Sequence, residues 1–155
     1  MTPEERLAEL GLELHAFPVP ETSPLRPVVV DGRRAYVSGQ PPAAEGKIQW
    51  FGRVGEDISV EDGALAARQC ALNILGALKN ELGELGRIEQ VVKLVGLVCC
   101  APGFTEQSKV VSGASELFVS LFGESGRHAR TAFGVPALPG GMAVEIEAIV
   151  AIRDA

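Results

Sequence analysis

Residues 59–100 constrain the fold more than any other part of the chain, because a long helical period runs directly into a β-rich stretch. Ser59 followed by Asp62 is a helix start, and Leu65, Cys70, Ala71, Ile74, Leu75, Leu78 and Leu82 then recur at helical spacing until Gly83. One face of this helix must be buried. From Arg87 to Cys100 the run IEQVVKLVGLVCC favours a strand, apolar enough to lie centrally in a sheet covered on at least one side. A second amphipathic helix fits residues 110–122, with Val111, Ala114, Leu117, Phe118 and Leu121 inward. Residues 130–135 and 143–152 read as two further strands, joined by a loop containing Pro139-Gly140-Gly141.

Ahead of the long helix, Val28-Val29-Val30, Asp31-Gly32 and Ala35-Tyr36-Val37-Ser38 form a hairpin signal, since Asp-Gly adopts the positive dihedrals of a tight turn. Gly39-Gln40-Pro41-Pro42 ends the second strand, and Ile48, Trp50 and Arg53 suggest another short strand within 47–54. At the start, Thr2 as N-cap, Pro3 in the first turn and Glu5 at the capping-box position open a short helix that Gly11 closes, with Leu7 and Leu10 facing in. Prolines at 18, 20, 24 and 27 keep 17–27 extended. The order β-β-(β)-α-β-α-β-β predicts an α+β fold, with two main helices on one face of a mixed sheet plus the short N-terminal helix. The 155 residues suit one domain over 1–155, in which 1–23 form the N-terminal helix and an extended arm.

Hydrophobic residues make up 46% of the chain and charged ones 22%, the balance of a chain that folds around a core. Aromatics are only 5%, so Val, Leu, Ile and Ala must fill that core. The net charge of −6, with no run of Lys and Arg, argues against a nucleic-acid partner. Cysteines 70, 99 and 100 are an odd number without Cys-x-x-Cys spacing, and the adjacent pair should point to opposite faces of a strand as reduced thiols. The acidic N-terminus lacks the pattern of a signal peptide, and no run approaches the ~20 apolar residues of a membrane span. A soluble cytoplasmic protein is the expectation.

Two histidines, His15 and His128, lie far apart with no ligand-spaced Cys or carboxylate beside them, so no metal site is expected. Phosphate-binding glycine motifs and the Gly-x-Ser-x-Gly elbow are missing too. Chemistry concentrates instead in GRHARTAFGVPALPGGMAVEIEAIVAI, residues 126–152. Arg130 alternates onto one face with Ala132 and Gly134, so its guanidinium is either a solvated edge-strand charge or an anion anchor beside a hollow left by small side chains. Glu145 and Glu147 share one face of the last strand, as either a polar outer surface or acid–base groups. Ser38, Gly39 and Gln40 are either a turn or groups lining a site at the end of a sheet.

Ala129-Arg130-Thr131, Leu138-Pro139 and Glu145-Ile146-Glu147-Ala148, with Val37-Ser38-Gly39-Gln40, resemble the RidA (YjgF, reactive intermediate deaminase) family over most of the chain from Pro24. The N-terminal helix and the longer loops around 41–57 and 99–108 resemble a longer subgroup. The resemblance implies a chorismate-mutase-like (YjgF-type) protomer in a homotrimer with intersubunit clefts, hydrolysing enamines or imines to a 2-oxo acid and ammonia without a cofactor. It further implies that Arg130 binds a small carboxylate-bearing metabolite, that Glu145 orients or activates water, and that Ser38 and Thr131 line the cleft.

Four positions depart from the family pattern. Ala132 stands where active deaminases carry a cysteine and Gly134 where they carry a glutamate; Leu25 aligns with the cleft tyrosine and Ser112 with the helix asparagine. A non-catalytic ligand-binding or regulatory trimer is therefore the alternative, with an endoribonuclease or translation inhibitor third. A simple hairpin about Pro139 would set Ala148 opposite Arg130 and Glu145 about 10 Å along the strand, which keeps Glu147 in reserve.

Overall fold

The computed structural model describes residues 1–155. Thr2 caps the first helix, α1 (Pro3–Glu9), by a reciprocal pair: its hydroxyl accepts from the Glu5 amide at 3.1 Å and the Glu5 carboxylate accepts from the Thr2 amide at 2.7 Å. Leu7 is buried, but the helix stops at Glu9, and Leu10, its cap, is 38% exposed rather than inward. The following extended arm crosses the second helix at Gly76, where a Cβ would meet the main chain of His15 and Ala16 at 3.0 Å.

Val28–Asp31 (β1) and Arg34–Gln40 (β2) form the expected hairpin, with Asp31 opposite Arg34 and Gly32 at φ +59°. The second strand continues through Ser38 and Gly39 instead of turning there. Ala43–Ala44 (β3) and Lys47–Ile48 (β4) make a separate small hairpin, leaving Trp50 and Arg53 outside any strand. The Ser59 hydroxyl accepts from the Asp62 amide at 3.1 Å and starts α2 (Val60–Leu82), which Gly83 ends at φ +86°. Leu65 is half-exposed, on the flank toward α1 rather than toward the sheet. Ile88–Cys99 (β5), α3 (Gln107–Phe122), Ala129–Val135 (β6) and Val144–Ile152 (β7) complete the chain. No helix is long and apolar enough to cross a membrane.

The main sheet has the order β1-β2-β7-β5-β6, with β5 and β6 parallel and the other pairs antiparallel. The last two strands therefore do not form a hairpin. The crossover through α3 lays β6 beside β5 as an edge strand, and β7 inserts between β2 and β5. Arg130 and Ala148 still share a row, because both register on Leu94.

The helices cover one face. Its rows run Val37–Ala148–Leu94–Arg130, Ile146–Gly96–Ala132 and Val144–Val98–Gly134. The other face carries Tyr36–Ile149–Lys93, Glu147–Val95–Thr131 and Glu145–Leu97–Phe133. One buried cluster joins α2, α3 and the covered face, while Cys99, Leu138 and Met142 form a small second cluster. Cys100 packs on the first cluster and Cys99 belongs to the second, as expected for neighbours on a strand, and all three thiols are unbridged.

Helix α3 sits unusually close to both neighbours. A Cβ on Gly113 would lie 2.0 Å from the Ala64 carbonyl oxygen of α2, and one on Gly96 would lie 2.5 Å from a Val111 methyl. In a helix interior Gly→Ala ordinarily stabilises by up to ~1 kcal/mol. At Gly113 the contact is with backbone, so Gly113→Ala is expected to invert that sign and cost about 1–3 kcal/mol. Gly86→Ala, at a site with nothing within 4 Å, is the control and should leave the melting temperature unchanged or slightly raised.

Candidate functional site

The first group of predicted residues gathers at the β6 edge. Arg130 is half-buried, and its Nη1 donates to Ser112 Oγ at 3.2 Å and to Ser115 Oγ at 3.1 Å on α3. Ala132 follows on the same face against the core. The space a side chain at Gly134 would enter is taken, since a Cβ there would lie 2.6 Å from the Cys100 sulfur and 3.0 Å from the Gln107 amide nitrogen. An open hollow of about 360 Å³ lined by Cys100, Gln107 and Gly134 lies beside it, without Arg130 in its wall. Thr131 points to the opposite face, where its hydroxyl accepts from Lys93 Nζ at 3.1 Å. Ser115 joins this group although no motif in the sequence singles it out, and His128, weighed there as a metal ligand, joins it as the partner of Ser115. Ser115 lies one helical turn from Ser112 and His128 two residues before Arg130, and those spacings were the available signal.

The second group surrounds a cavity of about 260 Å³ whose wall includes Leu25, Ser38, Gly39, Ile48, Met142 and Glu145. Its apolar character comes partly from Phe17 and Val19 of the arm, which only the folded chain brings to the sheet. Register shifts between Val37 and Gln40, so Ser38 and Gly39 together occupy a bulge against β7. Such a bulge re-aims side chains. Glu145 lies directly over Gly39, where a Cβ would come 2.9 Å from its carboxyl carbon and push that carboxylate aside. The Ser38 hydroxyl donates to the Arg26 carbonyl at 2.6 Å and its amide donates to the Pro27 carbonyl at 2.9 Å, fastening the arm as the cavity's wall. Hollows of about 700 and 670 Å³ lie where the arm crosses α2, but of the predicted residues they touch only Leu25.

The two groups do not meet within one chain. Arg130 is on the covered face with Leu94, whereas Glu145 is on the open face with Leu97. Glu147, the reserve carboxylate, is exposed on the open face opposite Val95.

Burial, and then the neighbouring Glu147 charge, holds the Glu145 carboxyl above its ordinary value. The folded protein therefore keeps a proton there that the unfolded chain releases. The linked stability is present below the ordinary glutamate range and is lost as pH rises through the folded pKa. Glu145→Gln removes this loss. The variant is expected to melt higher than the parent at pH 7, with the difference vanishing in acid; a constant offset across pH would contradict the assignment.

Residues 4–147 match the family described as "YjgF/chorismate_mutase-like, putative endoribonuclease". The chain is 43% identical over 149 residues to Protein TCP17 of Trypanosoma cruzi, covering 96% of this chain and 92% of that one. It is similar to the solved protein Atu1372 of Agrobacterium tumefaciens, with 44% identity, 99% of this chain and 94% of that one covered, and a TM-score of 0.92. RidA of an Antarctic Psychrobacter shares 25% identity at a TM-score of 0.59, over 86% of this chain and 92% of its own. The covered-face helices, the bulged Ser38-Gly39 strand and the Arg130 edge strand are thus those of a member of the YjgF/RidA family, to which this chain belongs.

Proposed function

We propose that the chain is a RidA-like protein that binds small carboxylate-bearing metabolites and hydrolyses their enamine or imine forms to a 2-oxo acid and ammonia, acting as a homotrimer. The observation that carries this reading is the division of the site into an arginine half at the β6 edge and a carboxylate half around the cavity. Each half is incomplete alone, and a neighbouring copy would supply the other. The open face leaves apolar side chains in solvent at both edges of the sheet, Val29 and Tyr36 at 49 and 45% exposed on β1 and β2 and Phe133 at 43% on β6, surface that assembly would cover.

The chemistry asks little of the protein. Water adds to the C=N carbon to give a carbinolamine, the nitrogen takes up a proton and leaves as ammonia, and C=O forms; an enamine is first protonated on carbon. No electrons are exchanged, so positioning and a proton route suffice. Nη1 of Arg130 is occupied by two serine oxygens, which leaves the Nε–Nη2 edge to fork a carboxylate. Glu145, with its raised affinity for a proton, takes one from the attacking water and returns it to the leaving nitrogen.

A second reading, a trimer that binds such anions without turnover, is favoured by the filled space at Gly134, the apolar Leu25 and the engagement of the Ser38 hydroxyl with the arm. An endoribonuclease activity, the term in the family's description, sits poorly with a net charge of −6. Steep salt-dependent RNA binding would favour it.

Ammonia release from a 2-aminoacrylate-type imine is expected to fall about a hundredfold in Arg130→Ala with assembly intact. Equal rates would sink the catalytic claim, and benzoate binding without turnover would establish the second reading. If each cleft draws Arg130 and Glu145 from different subunits, mixing Arg130→Ala with Glu145→Gln chains before assembly should restore about a quarter of the parent activity. Both halves in one subunit would restore none.

A further inference from the structure

The Arg130 guanidinium is held by hydroxyls whose own protons are already committed. Ser112 Oγ donates to the Ser108 carbonyl at 2.8 Å, so toward Arg130 it presents only lone pairs. Ser115 lies 2.9 Å from His128 Nε2, and His128 Nδ1 lies 2.6 Å from the Gly126 carbonyl oxygen. A carbonyl can only accept, so the ring hydrogen is on Nδ1 and Nε2 is bare. The Ser115 proton therefore goes to Nε2, and its oxygen too is left to accept from Nη1 at 3.1 Å.

The far end of this relay is rigid. A Cβ on Gly126 would lie 2.3 Å from the Phe118 carbonyl oxygen, so the turn after α3 is pressed against the helix and its carbonyl is fixed. The Phe118 ring meets the imidazole edge-on with centroids 6.2 Å apart. Burial lowers the imidazole's proton affinity and the Arg130 charge lowers it further, against the Gly126 hydrogen bond, which agrees with a neutral ring.

We infer that His128 is a positioning residue for Arg130: acting through Ser115, it fixes which hydrogens of the guanidinium are spent on the protein and turns the Nε–Nη2 edge toward the ligand. The inference rests on the reading of Arg130 as the anion anchor, and neither Ser115 nor His128 touches the ligand in it. Its signature is the direction of one hydrogen bond, which packing alone does not demand. His128→Gln keeps an acceptor near the Nε2 position, whereas His128→Asn keeps only the contact toward Gly126.

The test has two readouts on the full chain. Without ligand, nitrogen relaxation of the Arg130 Nε–H reports whether the guanidinium is ordered. Order should be high in the parent and in His128→Gln, and low in Ser115→Ala and His128→Asn. With benzoate as probe, calorimetry should find affinity about tenfold weaker in Ser115→Ala and in His128→Asn, near parental in His128→Gln, and no weaker in the double variant than in either single, because both break one chain of bonds. Arg130 order unchanged in Ser115→Ala, or additive losses in the double variant, would overturn the inference. If the parent binds no benzoate while the order pattern holds, the anion reading fails and the positioning role stands.

Discussion

Helix α3 meets α2 and β5 through glycines, Gly113 beneath the Ala64 carbonyl and Gly96 beneath Val111, and this approach sets the position of everything at the β6 edge. A Cβ at either contact would lift the helix, and the hydrogen bonds that Ser112 and Ser115 make to Arg130 tolerate only a few tenths of an ångström. The inward side of α3, from Val110 to Leu121, belongs to the core. Its shoulder carries the two serines. One packing constraint thus serves both the interior and the arginine, and the same helix end presses on Gly126 and fixes the carbonyl that orients His128.

Cation and carboxylate are kept on opposite faces of the sheet by an alternation two residues long. Strand β5 also lies between theirs, and their rows are three residues apart along it, so within one chain neither charge neutralises the other. Arg130 is instead solvated by neutral oxygens, which hold the guanidinium without cancelling its charge. Glu145 lies over Gly39 beside an apolar cavity and is desolvated without a cationic partner. Each group retains the property a ligand would use: an uncompensated positive charge on one side, and a readily protonated carboxyl on the other.

Much of the fold is legible in the sequence because it rests on local periodicity. The α2 pattern, the β5 run, the Thr2 capping box and the hairpin at Gly32 all correspond to real elements. Leu10 and Leu65 were misplaced because periodicity says which residues share a face, but not where a helix stops or which flank meets a neighbour. The pairing of β6 was illegible for a different reason. Two strands separated by a short loop look like a hairpin, and only the competition for β5 decides otherwise. At the site, Arg130, Ser38 and Glu145 stand out by residue type, and the register keeps Ala132 and Gly134 beside Arg130. The filling of the Gly134 space by Cys100, the arm residues Phe17 and Val19 in the cavity wall, and the proton direction through Ser115 are tertiary facts with no local pattern to announce them.

The bond from Ser38 to the Arg26 carbonyl joins a sheet strand to a segment that lies outside the sheet. The arm supplies one wall of the cavity, yet Phe17, Val19 and Leu25 contribute no strand pairing and none of the residues of the main buried cluster. The cavity's shape and its scaffold are therefore separable in inheritance. Substitutions along the arm can change which ligand body fits while β2, β5 and β7 stay as they are, so relatives with one framework can diverge in what they accept.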